Sequence, residues 1–319
     1  MKHSIITATG SYLPTKILTN DDLANMVDTN DEWIRERTGI IERHIVADGE
    51  LTSHMATHAS RAALASAGYE ASSIDGIVVA TSTPDNTMPS VAAKVQAALG
   101  ITHGPALDVA AACAGFVYAL SVAHGWIQGG IAKRVLVIGA ESMSRIVDWN
   151  DRGTCILFGD GAGAVILEAS DDTSRGIRAI ELHADGAHAD LLGTNGGISA
   201  TQAAGHLFME GKEVFRHGVE KMSETTLSTL AKAGLELAAV DWVVPHQANE
   251  RMITRIARQM RVPVDKFVVT VPMHANTSAA SIPLALDVAN RDGRLKKRNI
   301  IAMPALGAGL TWGCCVISW

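Results

Sequence analysis

The chain has 319 residues, with 27 Lys+Arg against 33 Asp+Glu for a net charge of −6. Apolar residues make up 47%, charged residues 19% and aromatics 4%, with 29 glycines, so the core is built from small and aliphatic side chains. That balance excludes a disordered chain and, with no extended basic tract, non-specific nucleic-acid binding; the length fits two domains or one large one.

Strands alternate with helices along the whole length, which predicts an α/β fold. At the N-terminus Lys2 is followed only by Ile5 and Ile6 before Thr7 and Gly10, which makes no signal-peptide core. A helical stretch ends at Gly68, and Ile74–Val79 then reads as a strand entering a polar loop. Ala106–Val109 is the next strand, running into Ala110, Ala111, Ala112 and Cys113. Cys113, Phe116, Val117, Leu120, Ile127 and Ile131 recur at helical spacing. Cys113 therefore stands at the first turn of a helix, where N–H groups and the helix dipole stabilise a thiolate. A free cysteine is equally among the most buried and inert residue types.

Strands follow at Arg134–Ile138 and Ala164–Leu167. Between them Gly159–Gly163 lacks the third glycine of a dinucleotide loop, and a strand rather than a helix comes after it, which argues against NAD. The second half repeats this order. A helical stretch ends at Gly234, and strands follow at Val240–Val244, Phe267–Val271, Asn299–Met303 and Cys314–Ile317. The corresponding strands are similarly spaced, so the chain reads as an internal duplication with halves 1–171 and 172–319 sharing one core.

His246 lies just past the second-half strand, at the strand end where α/β folds place ligands; it also suits a structural loop histidine. Asn276 lies where a strand turns into a helix, as an N-cap or as a donor to a developing oxyanion. Gly307-Ala308-Gly309 is a tight turn or a close backbone approach to a nucleophile. Met252, Ile253, Ile256, Ala257 and Met260 make the apolar face of a helix, and Arg251, Arg255 and Arg258 make a basic stripe beside it. Such a stripe is a solvated surface or a dock for an acidic partner. Arg294–Arg298 reads as a solvated turn.

The runs Val109–Ala132 and Ile300–Trp319 carry no charge and reach the about 20 residues of a membrane span. Their glycines, His124, Gln128 and Pro304 favour elements buried inside a thick protein, with no membrane span. Cys113, Cys155, Cys314 and Cys315 show no metal-ligand spacing and suit a reducing compartment, so the expectation is a cytoplasmic protein without a metal.

Several motifs then stand in order: Asp31-Glu32-Trp33-Ile34 with Arg37-Thr38-Gly39-Ile40, Ala111–Phe116, Asp151-Arg152-Gly153-Thr154 running into Phe158–Gly163, Pro245–Asn249, Asn276–Ser281 and Thr311-Trp312-Gly313. With these the chain resembles, over essentially its full length, the β-ketoacyl-acyl-carrier-protein synthase III family of thiolase-superfamily condensing enzymes. The resemblance implies a five-layer αβαβα sandwich of two similar halves and a homodimer. It implies decarboxylative condensation of an acyl-CoA primer with malonyl-acyl-carrier protein, initiating fatty acid biosynthesis. Cys113 would be the acyl acceptor, with His246 and Asn276 serving the malonyl half-reaction and the N–H groups of Cys113 and Ala308 forming the oxyanion hole. Trp33, Arg37 and Arg152 match positions that bind the adenine end of coenzyme A. Phe215, Ala248 and Asn249 match the pantetheine tunnel, and Arg216, Arg251 and Arg258 match positions that dock the carrier protein. Coenzyme A thioester is a substrate, and no cofactor is implied.

Two positions depart from the family. Gly307-Ala308-Gly309-Leu310 replaces an all-glycine run followed by Phe. Met88 stands where a bulky Phe from the partner subunit commonly closes the acyl pocket, which predicts tolerance of primers longer than acetyl. A papain-like Cys-His-Asn hydrolase would use the same residues in the same order, but Cys113 lies far from the N-terminus and lacks the Cys-Gly-Ser-Cys-Trp surround. A non-catalytic acyl-CoA or carrier-protein module would have no need of the intact triad. Relatives that make specialised metabolites stay within the same fold.

Overall fold

A computed structural model describes residues 3–319; Lys2, used above in reading the N-terminus, lies outside them. Nine strands build the two main sheets. They are β1 (His3–Tyr12), β2 (Gly76–Ala80), β3 (Ala106–Val109), β4 (Arg134–Ser142), β5 (Asp160–Ser170), β6 (Gly176–Ala184), β7 (Trp242–Val243), β8 (Ile300–Gly307) and β9 (Thr311–Ser318). Seven helices matter to the site or the layers: α1 (Asp31–Thr38), α2 (Thr52–Ala67), α3 (Val91–Ala98), α4 (Gly115–Gln128), α5 (Gly211–Lys232), α6 (Glu250–Met260) and α7 (Ser281–Arg291).

The first sheet runs β1-β5-β4-β2-β3, and the second runs β6-β9-β8-β7. Each is antiparallel toward one edge and parallel toward the other. A single parallel bridge from Val243 to Phe267 stands where β3 stands in the first sheet. The strand order is thus the same in both sheets. Phe267–Val271, however, is not the strand its sequence predicts. The buried Gln247 Oε1 accepts the N–H groups of Thr270 (2.8 Å) and Val271 (3.2 Å), which a ladder would otherwise use. Pro272 then opens a helical turn at Val271–His274.

Five layers result. Met55 and Ala59 of α2 and Val95 of α3 cover one face of the first sheet, meeting Ile77, Val79 and Ile138. The opposite face presents Val78, Val137 and Val165 to Phe116 and Leu120 of α4 and Ile282 and Leu286 of α7. Those two helices also meet Ile301, Met303 and Cys315 of the second sheet. Val214 and Met222 of α5 and Ile253 and Ile256 of α6 close the far side against Ala302 and Val316. Strands covered on both faces have no solvent side and read as unbroken apolar runs. That accounts for the uncharged C-terminal run, which is β8 and β9, while α4 between the sheets fills most of the other. The helical stripe ends earlier than its spacing predicts: α4 stops at Gln128 and Ile131 is 61% exposed. Gly130, at φ +71°, ends the helix, and the Ile131 N–H turns back to the Trp126 carbonyl at 2.8 Å. Among the described residues no helix is long and apolar enough to cross a membrane.

Candidate active site

Cys113 sits in a short 3-10 turn, Ala112–Ala114, between the end of β3 and the first residue of α4. Ala112 takes φ +45° to make that turn, and Cys113 is 7% exposed. Burial pushes its thiol up to about 12; the Ser278 hydroxyl opposes this and the buried Glu141 adds to it. The helix start that the sequence reads as favouring a thiolate is therefore opposed by burial. A helix terminus contributes typically 0.3–1 kcal/mol, less than the about 1.4 kcal/mol of a single pKa unit, and burial outweighs it. Burial thus favours the thiol over the thiolate in the resting site.

Glu141 lies at the end of β4 with no solvent exposure. It accepts the N–H groups of Ser82 and Thr83 and the hydroxyls of Thr83 (2.6 Å) and Ser278 (3.0 Å). Burial raises its carboxyl and these donors oppose the rise. Nothing in the sequence around Glu141 marks it out, because its partners come from separate loops.

His246 follows β7, and its N–H donates to the Pro304 carbonyl of β8 at 2.9 Å. Burial lowers the imidazole to about 3, so it is neutral. Its Nδ1 lies 2.8 Å from Ser281 Oγ. The neighbouring Gln247 donates to the Pro245 and Val268 carbonyls at 2.9 and 3.0 Å. With the two N–H groups that its Oε1 accepts, it staples the His246 strand end to the segment leading to Asn276. Asn276 is held by the start of the Phe158–Gly163 motif and the residue before it: its N–H donates to the Leu157 carbonyl at 2.9 Å, and Gly159 donates back at 3.1 Å. The Asn276 Oδ1 accepts the Ser278 N–H at 2.9 Å. Its carbonyl thus makes the local turn, as an N-cap reading would have it, while the NH2 is left to act as a donor.

Cys113, His246 and Asn276 line one cavity of about 280 Å³ together with Ala308, Ser82 and Ser278. Gly307 makes this approach possible: a Cβ there would stand 2.5 Å from the Cys113 nitrogen. Ala308 has no positive φ, so its methyl is accommodated without backbone strain. The remaining walls are apolar and include Met143, Ile146, Leu192, Leu207 and Met252. Sequence reasoning missed the hairpin Leu192–Thr194 with Leu207–Met209, whose strands are too short for a periodic signal.

The other predicted residues fall into groups. Phe215, Ala248 and Asn249 line the cavity, and Asn249 also caps α6 by accepting the Met252 N–H at 2.8 Å. Trp33, Arg37 and Arg152 stand together outside its lining, with the guanidiniums 4.3 and 5.1 Å from the Trp33 ring centre. Arg251, Arg255 and Arg258 are exposed and line a hollow of about 560 Å³ that shares Phe215 with the cavity. Arg216 lies in the adjacent hollow with Arg255, paired to Glu213 at 2.7 Å and Glu220 at 3.7 Å. Met88 is 78% exposed and does not line the cavity of its own chain. Its loop is tied down by the Asp85–Lys94 ion pair at 3.1 Å. Among the described residues no group of three or more His, Cys, Asp or Glu is arranged to hold a metal ion.

Comparison with known proteins gives two family matches. Residues 107–186 match the family described as 3-Oxoacyl-[acyl-carrier-protein (ACP)] synthase III, and residues 230–319 match its C-terminal counterpart. The chain is 55% identical to the beta-ketoacyl-[acyl-carrier-protein] synthase III of Dinoroseobacter shibae, over 100% of this chain and 99% of that one. It is 54% identical to the protein of the same name from Paracoccus denitrificans, over 100% of both. Among solved structures, the 3-oxoacyl-[acyl-carrier-protein] synthase III of Aquifex aeolicus superimposes with a TM-score of 0.95 at 44% identity, over 99% of this chain and 100% of that one. The priming beta-ketosynthase of the R1128 polyketide pathway gives 0.93 at 34% identity, over 99% and 96%.

Proposed function

The chain belongs to the 3-oxoacyl-[acyl-carrier-protein] synthase III family, and from that premise we propose how its side chains divide the reaction. The protein is a condensing acyltransferase that initiates fatty acid biosynthesis, joining an acyl-CoA to malonyl-acyl-carrier protein. The observation that carries the residue assignment is the convergence of Cys113, neutral His246 and Asn276 on one small, mostly apolar cavity.

The Cys113 sulfur attacks the acyl-CoA thioester. The bond from sulfur to the acyl carbon forms, the bond to the CoA sulfur breaks, and the thiol proton leaves with CoA. The N–H groups of Cys113 and Ala308 hold the tetrahedral oxyanion. Malonyl-carrier protein then enters the same cavity. The His246 ring N–H and the Asn276 NH2 donate to its thioester carbonyl. The electron pair released as CO2 departs goes into the enolate they stabilise. The enolate carbon attacks the acyl carbon, the bond to Cys113 breaks, and the sulfur takes up a proton. A neutral imidazole suits this work, because a donor is needed without a charge buried in an apolar wall. Both substrates arrive activated as thioesters, so the reaction requires no cofactor.

The flat Trp33 ring flanked by Arg37 and Arg152 suits the adenine and phosphate end of coenzyme A, and Phe215, Ala248 and Asn249 the pantetheine arm. The α6 arginines, with Arg216, suit an acidic carrier protein. The protein works in the cytoplasm as a homodimer in which Met88, exposed on its anchored loop, reaches the partner's acyl pocket and admits primers longer than acetyl. The fatty acid reading rests on relatives 54–55% identical, against 34% for the polyketide priming enzyme.

The test separates the two half-reactions. His246→Ala and Asn276→Ala should still take up an acyl group from acyl-CoA but lose condensation by about 10²–10³-fold, the usual effect of removing one oxyanion donor. Loss of acylation with condensation intact in preloaded enzyme would overturn the assignment.

A further inference from the structure

Ser281 is the first residue of α7 and is 2% exposed. Its Oγ lies 2.8 Å from His246 Nδ1 and accepts the Gln247 backbone N–H at 3.3 Å. A serine hydroxyl has one proton to give and two lone pairs to offer. With the Gln247 N–H on one lone pair, two arrangements remain. If Nδ1 carries the imidazole proton, it donates to Ser281, and the Ser281 proton then needs another acceptor in a buried place. If Nδ1 is bare, the Ser281 proton goes to it and every group is satisfied. The second arrangement puts the imidazole proton on Nε2. In a neutral histidine, the bond made by one ring nitrogen sets the role of the other.

We propose that Ser281 is a positioning residue that fixes His246 as its Nε2–H tautomer and aims that donor into the active-site cavity. The Gln247 N–H orients the hydroxyl, Ser281 donates to Nδ1, and Nε2–H faces the substrate carbonyl. This rests on the reading of His246 as a donor to the thioester. It adds that the donor exists because a residue at the start of α7, which touches no substrate, selects the tautomer.

The test is a long-range proton–nitrogen NMR spectrum of the full-length protein labelled at histidine, with the His246 signals identified by their loss in His246→Ala. At pH 7 the expected pattern is protonated Nε2 and bare Nδ1; a protonated Nδ1 overturns the proposal. Ser281→Ala should shift the spectrum toward a mixture of tautomers. It should also slow condensation by acyl-loaded enzyme toward the about 10²–10³-fold loss of an oxyanion donor while leaving acylation of Cys113 unchanged, and Ser281→Thr should restore both. An unaltered spectrum and condensation rate in Ser281→Ala would contradict it. If Ser281→Ala does not fold, the wild-type tautomer decides alone. A correct tautomer with undiminished condensation in His246→Ala would refute the donor role of His246 and leave the tautomer assignment standing.

Discussion

Gly307 is the residue on which the nucleophile's setting depends most directly. A side chain there would meet the Cys113 nitrogen at 2.5 Å and the Ala114 nitrogen at 3.0 Å, both backbone atoms that cannot swing aside. Gly307→Ala should therefore cost about 1–3 kcal/mol of stability, as overpacked interiors do. It should also abolish most acylation of Cys113, read by melting temperature and single-turnover acyl transfer. Ala308→Gly should leave acylation within a few-fold, because Ala308 already sits in an ordinary backbone conformation; equal damage from both substitutions would contradict this account. Cys113, His246 and Asn276 are legible in the sequence through the local motifs that carry the family resemblance; position alone leaves each open, and Asn276 follows the helical turn Val271–His274 rather than a strand. The rise of the Cys113 thiol is not legible there, because it comes first from burial, which Ser278 then opposes and Glu141 reinforces, groups that separate parts of the fold bring to it.

At the scale of elements, α6 divides its two faces cleanly. Met252, Ile253, Ile256, Ala257 and Met260 are buried, and Arg251, Arg255 and Arg258 are exposed. The buried face carries the fold, so the exposed face is free to serve a partner. Reversing all three arginines to Glu should raise the KM for malonyl-carrier protein about 10-fold or more, a like-charge penalty above about 1.4 kcal/mol. The melting temperature should hold, and salt should diminish the difference. An unchanged KM would remove the docking role. The 3.6-residue period made this helix readable. Phe267–Val271 shows the opposite case: its residues favour a strand, but Gln247 takes the N–H groups and Pro272 starts a turn. The hairpin walling the cavity was invisible because each of its strands has three residues.

On the scale of the whole molecule, two sheets of the same strand order enclose α4, which carries no charge, and α7, whose buried Asp287 is met by Thr9, Ser11 and Arg291. The shared order supports a division of the chain between Ser170, the end of β5, and Gly176, the start of β6, close to the 171/172 boundary we propose. Such an interior makes the fold sensitive to acid. Burial lowers His246 to about 3 and His274 to about 4, from 6.5. Below pH 6.5 the unfolded chain binds protons that the native histidines refuse, so stability is lost as pH falls from 6.5 toward those values. Each contributes a loss of about 2 kcal/mol at pH 5. The raised carboxyls of Glu141 and Asp160 act in the opposite sense, so the comparison that isolates the effect is His274→Gln. Its melting temperature should fall less than that of the wild type between pH 7 and pH 5, and an identical fall would contradict a neutral imidazole at this half-buried position. The reaction itself is the most direct probe of the whole. Intact-mass analysis of the wild type after incubation with acetyl-, butyryl- and hexanoyl-CoA should show one acyl group on Cys113, including chains longer than acetyl. That group should disappear on addition of malonyl-acyl-carrier protein as 3-ketoacyl-carrier protein forms. Acylation at another residue, or discharge of the acyl group to water with no new carbon–carbon bond, would contradict the account.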